Sequence, residues 1–128
     1  MKKPNILVFD DFVYGINPNN AVFTDQKFND LLGKLDQTAI FAVADSTGGS
    51  TPTLSVQLQH SPDGRNWVNK NGTPEIANQG IPTGATTGLY GYDSGTAPSG
   101  ANVRLAVWLG PASTSAHVKI FVCDRDQA

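Results

Sequence analysis

Residues 53–59 alternate without a break: Leu54, Val56 and Leu58 are apolar, while Ser55, Gln57 and Gln59 are polar. A period of two is that of a strand buried on one face. Ser61-Pro62-Asp63-Gly64 follows and supplies turn chemistry. Pro62 pre-sets φ at the first corner, Asp63 tolerates the second, and Gly64 accepts positive φ. Residues 65–68 then run back as a second strand carrying Trp67, which predicts a β-hairpin. The same period returns at 102–109, with Val103, Leu105, Val107 and Leu109 inward and Arg104, Ala106 and Trp108 outward. At 117–123, Val118, Ile120 and Val122 form one face and Lys119, Phe121 and Cys123 the other. In 37–44, Ile40 and Ala42 share one face and Phe41 and Val43 the other, so both faces are apolar and burial on both sides is expected.

Weaker signals fill the gaps. Residues 74–81 suggest a short edge-like strand and 87–90 another. Thr24 is placed to cap a short helix with Phe28, Leu31, Leu32 and Leu35 at helical spacing, although Gly33 weakens it. Ile6-Leu7-Val8-Phe9, followed by Asp10, Asp11 and Phe12, reads as a strand or an extended arm that Asn17-Pro18-Asn19-Asn20 ends. Residues 82–100 are rich in Gly, Thr and Ser around Tyr90 and Tyr92, and a surface excursion of that length is usually an interaction segment. The expected architecture is all-β: an antiparallel β-sandwich of seven or eight strands, with a jelly roll as one form of it and at most one short helix. Residues 1–23 are expected to be an N-terminal arm and 24–128 the sandwich.

Composition agrees with short strands and many turns. Of 128 residues, 39% are hydrophobic and only 16% charged, and 13 Gly and 8 Pro supply the turns. Glu75 is the sole glutamate, which argues against long solvated helices. Net charge is −2 and no basic run follows Lys2-Lys3, so binding of nucleic acid through its phosphates is not expected. Cys123 has no partner for an internal disulfide and is expected to be a buried, inert thiol. No apolar run reaches 18 residues, and the four apolar residues before Asp10 are too few for a signal peptide, so synthesis and folding in a cytoplasm are expected.

The chemistry-bearing residues do not assemble into a catalytic pattern. His60, Ser61 and Asp63 are the residue types of a hydrolytic triad, but they are neighbours inside one turn and cannot reach triad geometry. His60, His117 and Cys123 are too far apart in sequence to form a zinc site by spacing. Residues 3–11 mimic the first strand of a response-regulator receiver domain, yet no succession of strand-helix units follows, and Asp10 and Asp11 read as a solvated strand end. Asp124 and Asp126 around Arg125 read as a solvated tail. The glycines at 48–49 and 84–100 precede no helical pattern and are turn formers rather than a phosphate loop. No enzyme, cofactor or metal is expected. An outward Trp108 suits either sugar stacking or a protein anchor, unless a second layer of the domain covers it.

The hairpin and its approach carry a resemblance. Thr47-Gly48-Gly49-Ser50-Thr51-Pro52-Thr53-Leu54, the alternating strand, and Ser61-Pro62-Asp63-Gly64-Arg65-Asn66-Trp67 resemble a hairpin that recurs in small structural proteins of tailed bacteriophages and prophages. The strands with Val103-Arg104-Leu105 and Val118-Lys119-Ile120 fit the same layout, so the resemblance spans about residues 36–123. It implies a non-enzymatic virion component, capsid-associated or decorating before tail, made in a bacterial host and bound to copies of itself or to other shell subunits. The contact surface expected under it takes in Phe9, Phe12 and Tyr14 of the arm, Tyr90 and Tyr92 of the long loop, and Trp108. The competing expectation is a carbohydrate-binding β-sandwich that uses Trp67, Trp108, Tyr90 or Tyr92 as a stacking platform.

Overall fold

A computed structural model of the chain describes residues 6–15, 21–33, 38–49, 51–83, 86–93 and 102–124. Nine strands occur among them: β1 (Ile6–Tyr14), β2 (Val22–Phe23), β3 (Thr38–Gly48), β4 (Thr53–Ser61), β5 (Val68–Asn69), β6 (Ile76–Gly80), β7 (Gly88–Asp93), β8 (Asn102–Gly110) and β9 (Ser115–Asp124). All pair antiparallel, in two sheets. One sheet has the order β1-β9-β3-β7; the other runs β2-β8-β4, with β5 and β6 sharing the far edge of β4. With β5 and β6 counted as one position, the orders become 1-8-3-6 and 2-7-4-5, the interlocked Greek keys of a jelly roll.

The core lies between the sheets and is supplied by the inward parity of each strand. Ile40, Leu54, Val56, Leu58, Leu105, Leu109, Ile120 and Val122 are all buried there. The expected inward set of β8, from Val103 to Leu109, is fully buried. So is the set Val118, Ile120 and Val122 of β9.

Three local readings are corrected. The first concerns residues 6–14, read as a strand or an extended arm and grouped with the arm. They form an edge strand of the sandwich itself, with Ile6 opposite Val122 and Val13 opposite Ala116. A register shift between Leu7 and Phe9 inserts Val8 as a bulge, so Val8 and Val13 are buried while Ile6 and Phe9 pack on the core. Asp10 and Asp11 accordingly sit inside the strand rather than at its end.

The second is β4, expected to be buried on one face. Ser55 and Gln57 on its outer face are buried as well. The stretch between β5 and β6 folds across them. Gln57 Nε2 donates to the carbonyls of Asn71 (3.2 Å) and Thr73 (3.4 Å), and Ser55 Oγ exchanges hydrogen bonds with Asn78. The hairpin's return strand is also shorter than expected, because residues 62–67 are turn and β5 holds only two residues.

The third is the helix. A 3-10 turn (Gln26–Phe28) leads into the single helical turn α1 (Asn29–Gly33). Its cap is Asp25, which accepts from Lys27 N at 2.9 Å, not Thr24. Thr24 instead extends the β2–β8 ladder: its N–H donates to Leu105 O, and its hydroxyl accepts from Leu105 N. Leu35 lies outside the described residues.

Candidate functional site

The turn after β4 holds the triad-like residue types singled out in the sequence, and local hydrogen bonds engage two of them, Ser61 and Asp63. Buried Ser61 Oγ accepts from Asp63 N (3.2 Å) and Gly64 N (2.8 Å) and donates to Asp63 Oδ1 (2.9 Å). Asp63 Oδ1 also accepts from Arg65 N and Asn66 N, both at 2.9 Å, and Oδ2 from Asn66 Nδ2 at 2.7 Å. Gly64 takes φ +76°, the positive value the turn requires. The backbone N–H groups of Asn66 and Arg65, then the Asn66 amide and the Ser61 hydroxyl, hold the Asp63 carboxyl well below the usual carboxylate range. A carboxylate so held is a fixed acceptor and a poor general acid or base.

This has a pH consequence. The folded value lies below the unfolded one of about 3.9, so the stabilisation is complete above about pH 4 and lost as pH falls through the folded value. The urea midpoint of Asp63→Ala should trail the wild type by a constant gap from pH 7 to about pH 5, then converge on it below about pH 4. A gap that persists unchanged at acid pH would contradict this account of the turn.

The outer face of the β2-side sheet holds the two tryptophans. Arg104 Nε donates to Gln59 Oε1 at 2.8 Å, and its guanidinium lies 3.8 Å from the Phe23 ring centre and 4.4 Å from that of Trp67. Trp67 is thus committed to a stack that ties the hairpin turn to β8 and β2. Trp108, on the expected outward parity opposite Ser55, is half-buried. Each cation–π contact contributes about 0.5–1 kcal/mol. Arg104→Ala is therefore expected to cost about 1–2 kcal/mol in unfolding followed by Trp fluorescence, with Arg104→Lys recovering only part of it.

A cleft of about 490 Å³ lies between β1 and residues 23–28. Its carboxylates already have partners: Asp10 Oδ1 meets His117 Nε2 at 2.6 Å, Asp11 accepts from Phe12 N at 2.7 Å, and Asp25 caps the 3-10 turn. No group of three or more His, Cys, Asp or Glu placed to hold a metal occurs among the described residues. His60 and His117 stand on different sheets, and Cys123 is half-buried on β9. Asp126 and the side chain of Asp124 lie outside the described residues.

The outer face of the β1-β9-β3-β7 sheet is different in kind. Register aligns its outward residues in rows, two of which cross all four strands. Leu7, Phe121, Phe41 and Gly91 form one row, and Asp10, Lys119, Val43 and Leu89 the next. Phe12, His117 and Asp45 follow, then Tyr14 and Ser115. Leu89 is 73% exposed, Tyr14 62%, Phe12 49%, Leu7 41% and Phe41 37%. Phe41, Val43, Leu89 and Phe121 line a shallow hollow of about 340 Å³. Phe41 therefore faces outward from a strand expected to be buried on both sides, because no further layer of the described chain covers it. The Phe12 ring stacks on His117, with centres 4.9 Å apart. At Gly91 a Cβ would lie 3.4 Å from Phe41 Cδ1, so the ring lies across a position that has no side chain.

Apart from Trp108 on the other sheet, the expected contact residues divide between the two surfaces of this one. Phe12 and Tyr14 are outward and exposed, whereas Phe9 packs on the core. Tyr90 and Tyr92 face inward, opposite Ala42 and Ile40. The Tyr90 hydroxyl donates to Gly80 O at 2.5 Å, and burial pushes its pKa up. Leu7, Phe41, Leu89 and Phe121 were absent from the expected surface. Their signal was apolar side chains on both parities of adjacent strands.

No protein-family model matches the sequence, and no curated protein matches it. Solved structures do match the architecture. The CBM22-1 xylan-binding domain of Paenibacillus barcinonensis Xyn10C superposes with a TM-score of 0.56 at 9% identity, over 100% of both chains. The VP2 protein of infectious bursal disease virus (D431N mutant, T=1 particles) gives 0.53 at 12%, over 94% of this chain and 31% of VP2. The CBM22-1–GH10 modules of Clostridium thermocellum Xyn10B, complexed with xylohexaose, give 0.53 at 11%, over 97% of this chain and 26% of that one. The likeness is one of fold. It extends to a xylan-binding domain and a viral protein of T=1 particles alike, and the jelly-roll scaffold serves many functions.

Proposed function

We propose that this chain is a non-enzymatic structural subunit of a phage-type particle, capsid-associated rather than part of the tail. It is made in the bacterial host and built in through the outer face of the β1-β9-β3-β7 sheet. One observation carries the reading: that face exposes Leu7, Phe12, Phe41 and Leu89 in adjacent rows. Monomeric proteins rarely leave a contiguous apolar surface uncovered, and one rimmed by polar groups marks a contact with another protein. The hairpin resemblance at residues 47–67 supports the particle, and the hydrogen-bonded turn around Asp63 supports a role without catalysis.

A carbohydrate-binding module is the second reading, favoured by the whole-chain fold likeness to a xylan-binding domain. The side chains favour it less. Trp67 is stacked on Arg104, Trp108 is half-buried, and the exposed row pairs phenylalanine with leucine rather than with hydrogen-bonding groups.

Particles from the host that carries this gene provide the test. The protein is expected to co-sediment with them, and the purified chain is expected to give no saturable signal on a xylan and β-glycan array. Saturable glycan binding that disappears in Trp108→Ala, with no protein in the particles, would replace the first reading with the second.

A further inference from the structure

We infer that Arg104 is a recognition point for a carboxylate: its guanidinium, gripped between Phe23 and Trp67, takes an aspartate or glutamate side chain, or the chain terminus, of a partner protein. The place lies on the β2-β8-β4 sheet, away from the exposed apolar face, and does not depend on the chain entering a particle.

Order comes first. Arg104 stands on β8 opposite Gln59 of β4, and Gln59 stands opposite Asn69 of β5. Arg104 Nε donates to Gln59 Oε1 at 2.8 Å, and Gln59 Nε2 donates to Asn69 Oδ1 at 2.9 Å. The second bond fixes which end of the Gln59 amide faces Arg104. Phe23 approaches from β2 on one flank of β8, and Trp67 from the turn after β4 on the other. An arginine held by two rings and a hydrogen bond has given up its rotamer freedom before any ligand arrives, and that ordering no longer has to be spent on binding.

The donors left over define the ligand. Among the described residues no acceptor takes the Nη groups, and the one buried side-chain polar atom without a partner is Asn29 Oδ1, so the Nη end meets solvent. No carboxylate among those residues offsets the charge. Asp63, in the same turn as Trp67, spends its oxygens on Ser61, Arg65 and Asn66. Burial alone acts on the Arg104 pKa, and pushes it down. A partly desolvated cation with a paired donor end and no acid beside it is complementary to a carboxylate, which accepts two parallel bonds from that fork.

Shape narrows the class. Ring centres 3.8 Å and 4.4 Å from the same carbon stand no more than about 8 Å apart, which leaves room for one flat group. A carboxylate on a slender methylene stem enters such a slot edge-on. A tetrahedral phosphate is not flat, and a sugar carboxylate brings its ring against the aromatic edges.

NMR titration of the full chain tests the inference, read at the Arg104 side-chain Nε–H and the Trp67 indole N–H. The probes are acetyl-Gly-Glu-Gly-amide, acetyl-Gly-Gly-Gly with a free terminal carboxylate, acetyl-Gly-Gln-Gly-amide, trigalacturonate and inorganic phosphate. At least one of the two carboxylate peptides should saturate, and the tighter of them tells a side chain from a chain terminus. The Gln peptide should bind at least tenfold more weakly. Arg104→Lys keeps the charge and loses the fork; Phe23→Leu keeps the arginine and loses one ring. Each should weaken binding at least fivefold with an unchanged circular dichroism spectrum, since Phe23 is already 43% exposed. Failure of both carboxylate peptides to saturate, or equal binding of the Gln peptide, overturns the inference. So does trigalacturonate or phosphate binding as tightly as the peptides, or Phe23→Leu binding like the wild type, which would reduce the effect to charge alone.

Discussion

Ile120→Ala is expected to lower the free energy of unfolding by about 3–4 kcal/mol, while Phe121→Ala, one residue on, lowers it by about 1 kcal/mol or less. Ile120 is fully buried on the central strand β9, opposite Phe9 on one side and Ala42 on the other. Truncation there loses the transfer energy of the removed carbons and leaves a cavity that two paired neighbours hold open. Phe121 points to the other side, where only Phe41, Val43 and Leu89 share its hollow and solvent fills the rest. Urea titration separates the two: Ile120→Ala should shift the midpoint strongly at constant m, and Phe121→Ala only slightly. Equal shifts would mean that the outer face is covered within the monomer.

Glu75→Ala should destabilise the fold by about 1–3 kcal/mol, and Glu75→Gln by clearly less. The far edge of β4 is shared by β5, which takes Gln59 and His60, and β6, which takes Thr53, Leu54 and Val56. Leu58 lies in the gap. Its carbonyl accepts from Lys70 N at 2.9 Å, and its N–H donates to Glu75 Oε1. Glu75 Oε2 in turn accepts from Asn71 Nδ2 at 2.6 Å. A side chain thus stands where a strand would have been, and its removal leaves a sequestered N–H without an acceptor. Glutamine keeps one acceptor oxygen and with it most of the bond. Hydrogen exchange at Leu58 should accelerate in the alanine variant alone; matching losses in both variants would point to charge rather than to the ladder.

How much of this was legible in the sequence differs by element. β8 and β9 were, because one strictly alternating set in each is fully buried. β1 was legible only in part, because the bulge at Val8 breaks the period of two and lets an edge strand and an extended arm read alike. Thr24 was misassigned because a threonine hydroxyl serves a helix cap and a strand ladder equally well, and only the nearness of Leu105 decides between them. The candidate site was half legible. Phe12 and Tyr14 lie on it, but Tyr90 and Tyr92 turn inward through their register with Ala42 and Ile40. Phe41 and Phe121 stayed hidden because apolar residues on both parities look the same whether a second layer covers the outer face or leaves it open.

The pairing of β1 with β9 also governs how the chain can be made. Residues 6–14 wait for residues 115–122, at the opposite end of the sequence, before they have any ladder partner, and β3 waits for the same strand on its other side. During synthesis, then, β1 emerges well before β9 and stays unpaired until residues 115–122 have left the ribosome. Native contacts this far apart in sequence make for slow closure and a long interval of exposed strand edge. A nascent chain halted before residue 115 has only the β3–β7 pair of that sheet to form, so protease resistance of residues 6–14 should arrive in one step, on release of β9, rather than accumulate as the chain grows.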